Sequence, residues 1–513
     1  MYQIRNVIFP ITRQPDLFKL LALKLHLPRP AIEEIEILRS SLDARMKNHL
    51  KFNLTLKAKI LQEPPTNSDV TIYREPQPYL KNEIAVSNPH PFIIGAGPAG
   101  LFAALALTEK GIQPYVFERG ECLENRALKV KEFWQKGILN EESNVQYGEG
   151  GAGAFSDGKL TSRKSDYYTN RVSEYLISFG ADKAIAYEAL PHLGTDGIRK
   201  IVVNLRKYLE SKGCKFFWNH RLENISINND KIADVTINGE KHHPEIVILA
   251  IGNAARDTFR TLCQKVQMES KPFSVGFRLE HPQDFINDTF YGKKTDFSLT
   301  GPAVYRLTAK AGNRGVYSFC MCPGGQVIAA SSEPDSIVTN GMSYADRQGR
   351  FANSAIVVTV NEKDYGCGIL AGMDFQRKIE QRCFRQDLPY FAPAQNAADF
   401  MKSAISSSLK PNSYLPGTYS FNLNKIYAHD ITAAIKTGMR VFEKQASGFI
   451  EKGIFIAPET RTSSPVRILR NSIDFSSFSA KNLYPCGEGS GYAGGIMSSA
   501  ADGYKVGSLF IRR

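Results

Sequence analysis

Glycines dominate three stretches of this sequence, and their spacing suits a backbone that cradles phosphate groups. The first stretch, GAGPAG at residues 95–100, matches G-x-G-x-x-G between an apolar segment and a helical one. Its first glycine permits a tight turn, its second lets the backbone approach a pyrophosphate, and its third lets helix and strand pack closely. The helix N-terminus also favours the phosphate charge. We therefore expect a dinucleotide to contact Gly95, Gly97, Pro98, Ala99 and Gly100.

An acidic residue follows this motif at the spacing of a ribose-binding carboxylate. Glu118 ends the next predicted strand, which begins at Gln113, and lies 18 residues after Gly100. A spacing of about 20 residues is typical of dinucleotide-binding folds. An acid at this position also argues against a ligand with a 2′-phosphate. We include Arg119 among the expected ligand contacts; the alternative is a glycine-rich turn without a ligand.

Two further stretches are of the type that would complete such a site. Residues 246–252 (IVILAIG) read as a strand that ends in a small-residue turn, which alone is an ordinary buried strand. Residues 483–496 (LYPCGEGSGYAGGI) hold five glycines within nine residues and lead into a helix of small residues. A helix N-terminus there presents backbone donors to negative charge. The expected contacts are Gly252, Gly487, Glu488, Gly494, Gly495, Ile496 and Met497.

Polar side chains near these glycines are the candidates for catalysis. The stretch 148–158 combines closely spaced glycines with Ser156 and Asp157, and Lys159 follows it. Lys159 would place a cation beside the ligand or a substrate anion; the alternative is a surface lysine that pairs with Asp157. Arg461 begins a polar cluster, RTSS, before the last glycine-rich stretch. We predict Lys159, Arg461 and Ser156 as catalytic residues, and no metal site.

The cysteines indicate a reducing environment. Eight cysteines are scattered along the chain without a Cys-x-x-Cys pair, which disfavours a disulfide scaffold, a zinc ribbon and an iron–sulfur site. We therefore expect a cytoplasmic location. Cys320 and Cys322 would face the same side of a strand, but their short separation is poor for a disulfide. Buried small hydrophobes are the preferred interpretation, and a redox role is the alternative.

Length and composition predict a folded protein of two or three domains. The chain has 513 residues, of which 42% are hydrophobic and 22% charged. Its longest apolar run, residues 92–107, is interrupted by Gly and Pro and is too short to span a bilayer. The net charge of +13 suits an anionic partner, but no dense Lys/Arg run appears, so a basic solvated surface is preferred.

The first 88 residues read as a small α+β module. The patterns predict a strand over Ile4–Ile11, a helix over Gln14–Leu25, a mixed apolar segment over Ala31–Ser41 and a strand over Leu50–Ile60. A proline-rich linker follows over Glu63–Pro91.

An α/β pattern begins after this linker. It includes a meander over Phe216–Ile237, and strands dominate residues 272–360 with a hairpin turn at Pro-Gly-Gly 323–325. Residues 374–448 are predicted mostly helical. We predict a Rossmann-like domain over 89–270 and 445–513, interrupted by a β-rich substrate domain over 271–444.

The order of these elements resembles the two-dinucleotide-binding-domain flavoprotein superfamily. Within it, residues 144–160 (NVQYGEGGAGAFSDGKL) and the run CGEGSGYAGGI resemble a family of largely uncharacterised bacterial FAD-dependent dehydrogenases. The resemblance covers most of residues 90–513. It implies that residues 95–118 hold the ADP half of FAD, with Leu222 near the adenine. Gly487 and Glu488 would lie near the ribityl and phosphates, and residues 494–497 near the flavin ring.

This resemblance implies an FAD-dependent oxidoreductase that transfers hydride between flavin and a small organic substrate. A second clean GxGxxG is missing between residues 250 and 450, so NAD(P)H would bind only transiently as an electron donor. Two alternatives stay open: a flavin-dependent RNA-modifying protein and a flavin-holding interaction protein. A nucleic-acid partner is not the preferred expectation.

Overall fold

The N-terminal residues form an antiparallel sheet that one helix covers. The computed structural model describes residues 1–12, 15–65, 67–79, 83–88, 90–161 and 166–513. Within them this sheet has the strand order β2-β3-β1-β4. Alternate residues of β3, such as Leu54 and Leu56, are buried and pack with Leu21 and Leu25 of the helix. The elements are β1 (Tyr2–Pro10), α1 (Leu17–Leu25), β2 (Ile32–Asp43), β3 (Lys51–Ile60) and β4 (Val70–Ile72).

Two predictions for this region need adjustment. Most of the predicted mixed segment Ala31–Ser41 belongs to strand β2, because successive residues from Ile32 to Asp43 pair with β3, with two register shifts. The predicted helix begins at Leu17, where the Asp16 side chain accepts the Lys19 amide as an N-cap. Its predicted first residue, Gln14, lies outside the described residues, as does part of the predicted linker.

A parallel sheet with helices on its faces forms the centre of the molecule. Its strand order is β23-β12-β6-β7-β8, where β23 is the late strand Leu483–Pro485, and every neighbouring pair is parallel. A small antiparallel sheet, β11-β10-β9, lies beside it. The elements up to residue 262 are β5 (Ile84–Val86), β6 (Phe92–Ile94), α2 (Pro98–Glu109), β7 (Tyr115–Glu118), α3 (Leu123–Lys136), α4 (Tyr167–Ser178), α5 (Gly194–Ser211), β8 (Lys215–Trp218), β9 (Leu222–Asn228), β10 (Lys231–Ile237), β11 (Glu240–His242), β12 (Val247–Leu249) and α6 (Arg256–Leu262).

The predicted single meander over Phe216–Ile237 is wrong in its first strand. β8 joins the edge of the parallel sheet, where Phe217 stacks on Phe117 of β7 with ring centroids 4.8 Å apart. Asn219, with a φ of 57°, then turns the chain into the separate sheet. The aromatic residues of β8, Phe216–Trp218, are therefore part of the parallel sheet and not of the meander.

A large, mostly antiparallel sheet follows. Its order is β15-β16-β18-β14-β21-β19-β20, with β17 paired to β16, and only β19 and β20 are parallel. The helix α12 lies across β15, β16 and β18. The elements are β13 (Met268–Ser270), β14 (Phe273–Pro282), α7 (Gln283–Phe290), α8 (Phe297–Thr300), β15 (Thr308–Ala311), β16 (Arg314–Ala329), β17 (Thr339–Met342), β18 (Phe351–Val360), α9 (Glu362–Tyr365), α10 (Ala371–Arg382), β19 (Ala392–Asn396), α11 (Ala397–Lys402), β20 (Thr418–Ser420), α12 (His429–Gln445), α13 (Phe449–Lys452) and β21 (Ile454–Glu459).

The structure corrects two predictions in this sheet. Pro-Gly-Gly 323–325 makes no hairpin turn, because β16 continues through it with register shifts and changes partner from β18 to β17. Residues 374–448, predicted mostly helical, also contain the strands β19 and β20. Both strands are short, at five and three residues, and β20 lies at the sheet edge, which weakens their signal in the sequence.

The chain finally returns to the parallel sheet. β13 pairs with β22, and β24 pairs with β5 in parallel. Among the described residues, no helix is long and apolar enough to cross a membrane. The last elements are β22 (Val466–Ile468), β23 (Leu483–Pro485), α14 (Ile496–Ser508) and β24 (Phe510–Arg512).

Candidate functional site

The three stretches predicted to build the site, residues 95–100, 246–252 and 483–496, meet at the carboxyl ends of the parallel strands, which form one edge of the sheet. β6, β12 and β23 are parallel neighbours, so the residues that follow them leave the sheet on the same side. The approach is close: a Cβ at Gly489 would lie 2.3 Å from the Gly252 carbonyl oxygen, and one at Gly487 would lie 2.7 Å from Ala99 Cβ. The third stretch therefore lies directly against the turn after β12 and the N-terminus of α2.

Two helices begin at this edge without a side-chain cap. α2 starts after Gly97 and α14 after Gly495, and neither N-cap residue has a side chain to accept an amide. The helices pack tightly, since a Cβ at Gly503 of α14 would lie 1.9 Å from the Ala99 carbonyl oxygen. The partial positive charges of both N-termini consequently face the same region.

Open space lies over the glycines that begin these helices. A Cβ at Gly97 would meet nothing closer than the Gly151 Cα at 3.8 Å, and one at Gly494 or Gly495 would meet nothing within 4 Å. Gly100 differs, because its Cβ would lie 1.9 Å from the Gly95 carbonyl oxygen. Gly100 therefore serves the close packing of the turn, while the backbone at Gly97 and Gly494 is open to a ligand.

Glu118 joins three segments at this edge. Its Oε2 accepts the Ala96 amide at 2.8 Å, and its Oε1 accepts the amides of Gly120 and Gly148, each at 2.9 Å. The residue is 6% exposed. A carboxylate has about four acceptor positions, so one position remains for a further donor such as a hydroxyl.

Glu488 is a partly buried acid in the third stretch. The Asn253 side-chain amide donates to its Oε1 at 2.8 Å. Burial raises the pKa of Glu488 to about 7, although the positive charge of Lys271 opposes this shift. At neutral pH the protonated carboxyl, which can donate a hydrogen bond, and the carboxylate, which can only accept one, are consequently both populated.

Two predicted cofactor contacts have other partners in this structure. Arg119 donates to Glu142 at 2.7 Å and to Asp257 at 2.9 Å, and its guanidinium lies over the Tyr147 ring. The Leu222 side chain, 4% exposed, belongs to the core beneath the parallel sheet. Neither side chain is free for a ligand in this arrangement, so contacts to FAD would come from the backbone.

A buried arginine that sequence reasoning missed shapes the stretch 144–149. Arg126 of α3 is fully buried and donates to the carbonyl groups of Asn144 at 2.8 Å and Val145 at 3.0 Å. It also donates to the Glu149 carbonyl at 2.5 Å. The sequence does not reveal this role, because the acceptors are backbone carbonyl groups and no partner side chain marks them.

Lys159 and Ser156, two predicted catalytic residues, lie in different surroundings. The Ser156 hydroxyl donates to the Gly153 carbonyl at 2.8 Å and stabilises the turn. Lys159 Nζ lies 3.4 Å from Asp157, and 3.8 Å from the sulfur of both Cys320 and Cys322. Both the predicted Asp157 pairing and a site role are therefore compatible with its position, but it is no free surface lysine.

Arg461, the third predicted catalytic residue, is tied to a buried carboxylate. Its guanidinium donates to both oxygens of Glu380, at 3.1 and 2.8 Å, and to the Ser332 hydroxyl at 2.6 Å. Glu380 also pairs with the buried Arg256 at 2.8 Å. Coulombic attraction from these two arginines outweighs burial and holds the pKa of Glu380 well below its ordinary value.

Cys320 and Cys322 depart from the prediction of buried small hydrophobes. Cys322 is fully buried, but its sulfur accepts from Arg278 at 3.4 Å, so its surroundings are charged. Arg278 in turn donates to Glu459 at 2.8 Å. The Cys-x-Cys spacing was the signal for this cluster, but the partners come from distant parts of the sequence.

The residues at the sheet edge fit FAD. Two uncapped helix N-termini supply amides for a pyrophosphate, and Glu118 retains an acceptor for a ribose hydroxyl. The space over Gly97 and Gly494 is where added Cβ atoms would meet no protein atom closer than 3.8 Å. The donor set therefore suits an extended dinucleotide that crosses this edge.

Comparison with known proteins agrees with this fit. Residues 272–462 match the family described as "FAD-dependent protein, C-terminal domain-like", and residues 1–59 match a domain of unknown function. An uncharacterized protein of Clostridium beijerinckii (strain ATCC 51743 / NCIMB 8052) is 41% identical over 505 residues, which cover 96% of this chain and 94% of that protein.

Several solved structures show a weaker likeness. CtdE in complex with FAD has a TM-score of 0.33 at 11% identity and covers 82% of each chain. The tetracycline destructase Tet(55) has a TM-score of 0.34 at 12% identity, over 82% of this chain and 78% of its own. Glycine oxidase from Bacillus cereus ATCC 14579 has a TM-score of 0.32 at 10% identity, over 84% and 94%. Likeness at this level does not bear on the reaction.

Proposed function

Because the chain belongs to the same family as the uncharacterized Clostridium beijerinckii protein and has FAD as its cofactor, we propose that it is an FAD-dependent oxidoreductase. The observation that supports this proposal is the convergence of two uncapped helix N-termini on open glycine backbone. FAD when bound supplies hydride and electron transfer, while the protein supplies position, charge and shape.

The residues of α2 and β7 would bind the ADP half. The amides at Gly97 and Ala99 lie at the N-terminus of α2 and would bind the pyrophosphate. Glu118 would accept a ribose hydroxyl with the acceptor position that its three backbone donors leave. Arg126 would hold the neighbouring stretch 144–149 in shape through its bonds to backbone carbonyls.

The residues at α14 would bind the flavin half. The N-terminus of α14, with Gly494 to Met497, would favour negative charge on a reduced ring. Glu488 would lie beside it and hold or release a proton near neutral pH, since its pKa is about 7. Gly153 borders this place, because a Cβ there would lie 2.9 Å from Ile496 Cγ1.

The substrate would lie between the large sheet and the cofactor. The segment 146–159 runs along this boundary, where the Gln146 side chain donates to the Ala330 carbonyl at 3.2 Å and Arg347 donates to Asp157 at 2.7 Å. Lys159 would attract an anionic substrate group. Arg461 would act as a positioning residue, because it holds Glu380, which in turn pairs with Arg256 at the start of α6.

We also propose a small organic substrate, transient NAD(P)H as the electron donor, and a cytoplasmic location. The proposed domain boundaries lie at residues 88, 270 and 444.

Anaerobic reduction of the bound flavin tests this function. Full-length protein with bound FAD is mixed with NADH or NADPH, and the loss of flavin absorption is followed in a stopped-flow instrument. We expect at least one nicotinamide to reduce the flavin in a saturable reaction. Bound FAD that neither nucleotide nor a panel of amino, hydroxy and keto acids reduces or reoxidises would contradict the proposal, and would favour a flavin-holding interaction protein.

A further inference from the structure

Two cysteines and two cations form a cluster at the boundary of the large sheet. We call this set, Cys320, Cys322, Lys159 and Arg278, the thiol cluster. Lys159 Nζ lies 3.8 Å from each sulfur, and Arg278 reaches the Cys322 sulfur at 3.4 Å and the Cys320 carbonyl at 2.9 Å. Both cysteines are free thiols.

An irregularity in β16 brings both sulfurs to the same cation. The register against β18 shifts between Phe319 and Cys322, so that one extra residue lies in β16. Cys320 has a φ of 47°, which is a strained conformation for a residue other than glycine. Strain of this kind persists only where the surroundings hold it, and it is concentrated at functional sites.

The charges around the sulfurs favour a negative ion. Lys159, Arg278 and Arg347 contribute three positive charges, while Asp157 and Glu459 are the carboxylates that pair with them. Among these five groups one positive charge is left over, and a thiolate would neutralise it. The Glu488 carboxyl also interacts with Cys320, but burial raises its pKa to about 7, so it carries only part of a negative charge near neutral pH. Burial raises the pKa of Glu459 to about 7, which reduces its negative charge further near neutral pH.

The two thiols differ in state and access. A hydrogen bond with Cys322, helped by the charges of Lys159 and Arg278, holds the pKa of Cys320 well below the usual value of a thiol. Burial together with the neighbouring Cys320 raises the pKa of Cys322. Cys320 is partly exposed, whereas Cys322 is fully buried. This asymmetry resembles an attacking thiolate and a second thiol that resolves it.

We propose that Cys320 and Cys322 form a thiol–disulfide exchange site for low-molecular-weight disulfides, with Cys320 as the attacking group. This goes beyond the proposed flavin reaction, because the exchange needs two thiols and a disulfide and no flavin. Cys320 is partly exposed and 28% of the Lys159 side chain is exposed, so the cluster borders solvent on this side.

The exchange proceeds in two balanced steps. The Cys320 thiolate attacks one sulfur of the small disulfide, so that its S–S bond breaks, a mixed disulfide forms and one thiolate leaves. Cys322 then loses its proton, which passes through solvent to the first released thiolate, and attacks the Cys320 sulfur, so that the mixed disulfide breaks and the second small thiolate leaves. In total the small disulfide gains two electrons, and the two cysteines become a disulfide. Such a bond across one intervening residue is strained and therefore easily reduced again.

Mass spectrometry of the purified full-length protein with its FAD tests the proposal. The protein is incubated with 2-hydroxyethyl disulfide, free thiols are blocked with an excess of N-ethylmaleimide at neutral pH, and the tryptic peptide Gly315–Arg347 is analysed. This peptide contains Cys320 and Cys322 and no other cysteine. We expect it to lose two hydrogen atoms. In Cys322→Ser we expect the mixed disulfide to persist on Cys320, and in Cys320→Ser we expect neither product.

The rate of alkylation gives a second measurement that needs no cysteine variant. At pH 7, iodoacetamide should modify Cys320 about tenfold faster than the exposed Cys367, because the lowered pKa of Cys320 favours its thiolate. Lys159→Met should slow this reaction about tenfold, whereas the exposed Lys136→Met should not change it. Circular dichroism checks that the variants are folded.

Two results would overturn the proposal. One is that the peptide keeps both cysteines as thiols while Cys367 forms a mixed disulfide under the same conditions. The other is that Cys320→Ser and Cys322→Ser give the same product as the unchanged protein. The peptide masses are measured in the same way whether or not any substrate reduces the flavin. The test of the thiol cluster is therefore independent of the proposed function.

Discussion

At the scale of single residues, Glu118 holds the site together and also offers an acceptor to the cofactor. It accepts three backbone amides, and an amide side chain at this position has only one oxygen for them. We expect Glu118→Gln to lower the free energy of unfolding by about 1–3 kcal/mol and to weaken FAD binding. Urea unfolding followed by fluorescence measures the first effect and a flavin titration the second.

A surface glutamate provides the control for this prediction. Glu132, which pairs with Lys136 across one helical turn, is partly exposed, and Glu132→Gln should change stability by less than about 0.5 kcal/mol. Equal effects of the two substitutions would contradict the role assigned to Glu118.

Glu488 makes stability depend on pH. Its pKa is about 7 in the folded protein and 4.5 ordinarily, so the folded state retains a proton that the unfolded state releases. Stability should therefore fall as the pH rises from about 5 to about 7. Glutamine has no proton to release, so Glu488→Gln removes this loss of stability at high pH. We expect its effect on the free energy of unfolding to be about 1–3 kcal/mol more favourable at pH 8 than at pH 5. Unfolding at the two pH values gives the measurement, and an equal effect at both would contradict it.

Residue chemistry was predictable where it is local. GAGPAG and Glu118 were predictable because one strand, one turn and one helix place them. The charged surroundings of Cys320 and the pairing of Arg461 with Glu380 were not, because their partners are far away in sequence: 161 residues separate Lys159 from Cys320. A local sequence pattern does not predict such long-range contacts.

At the scale of elements, the packing of α14 on α2 fixes the distance between the two helix N-termini. Gly503 has no room for a side chain, because its Cβ would lie 1.9 Å from the Ala99 carbonyl oxygen. We expect Gly503→Ala to force the helices apart, with a loss of about 1–3 kcal/mol of stability and weaker FAD binding. Thermal unfolding and a flavin titration measure both effects.

Ser508→Ala is the matched control on the same helix. The Ser508 hydroxyl only donates to the Tyr504 carbonyl one turn earlier, so its removal should change stability by less than about 0.5 kcal/mol. If Gly503→Ala were as mild, the close approach of the helices would not matter for the site.

The sequence pattern predicted most of the strands and helices, but it did not predict which strands pair with each other. β8 has strand character, yet its membership of the parallel sheet depends on aromatic stacking against β7. Pro-Gly-Gly 323–325 has the composition of a hairpin turn, yet β16 bends there between two partner strands. Strand pairing depends on tertiary contacts, and the composition of a single segment does not determine it.

At the scale of the whole molecule, the N-terminal sheet is joined to the large sheet through a shared core. Leu50, just before β3, is 3% exposed and packs in the core of the large sheet. Ser40 of β2 also exchanges backbone hydrogen bonds with Tyr187 at 2.6 Å and Ala189 at 2.8 Å. These contacts indicate that the N-terminal sheet unfolds together with the large sheet.

Leu50→Ala tests this coupling. We expect it to cost about 2–4 kcal/mol and to separate an early transition of the N-terminal sheet in calorimetry. Leu23→Ala, at a side chain that is 65% exposed, should leave one transition at nearly the same temperature. A single unshifted transition in Leu50→Ala would show that the two sheets are not coupled through this core.

The affinity of Gly97→Ala and Gly494→Ala for FAD, measured by flavin fluorescence titration, tests whether FAD binds at the carboxyl ends of the parallel strands. Neither glycine has a positive φ, and an added methyl group would meet no protein atom closer than 3.8 Å, so the fold should tolerate both changes. Gly315→Ala, whose nearest neighbour is likewise at 3.8 Å, is the control. We predict that the first two weaken FAD binding at least tenfold, about 1.4 kcal/mol, while the control does not. Unchanged affinity in both site variants would contradict an FAD site at this edge of the sheet.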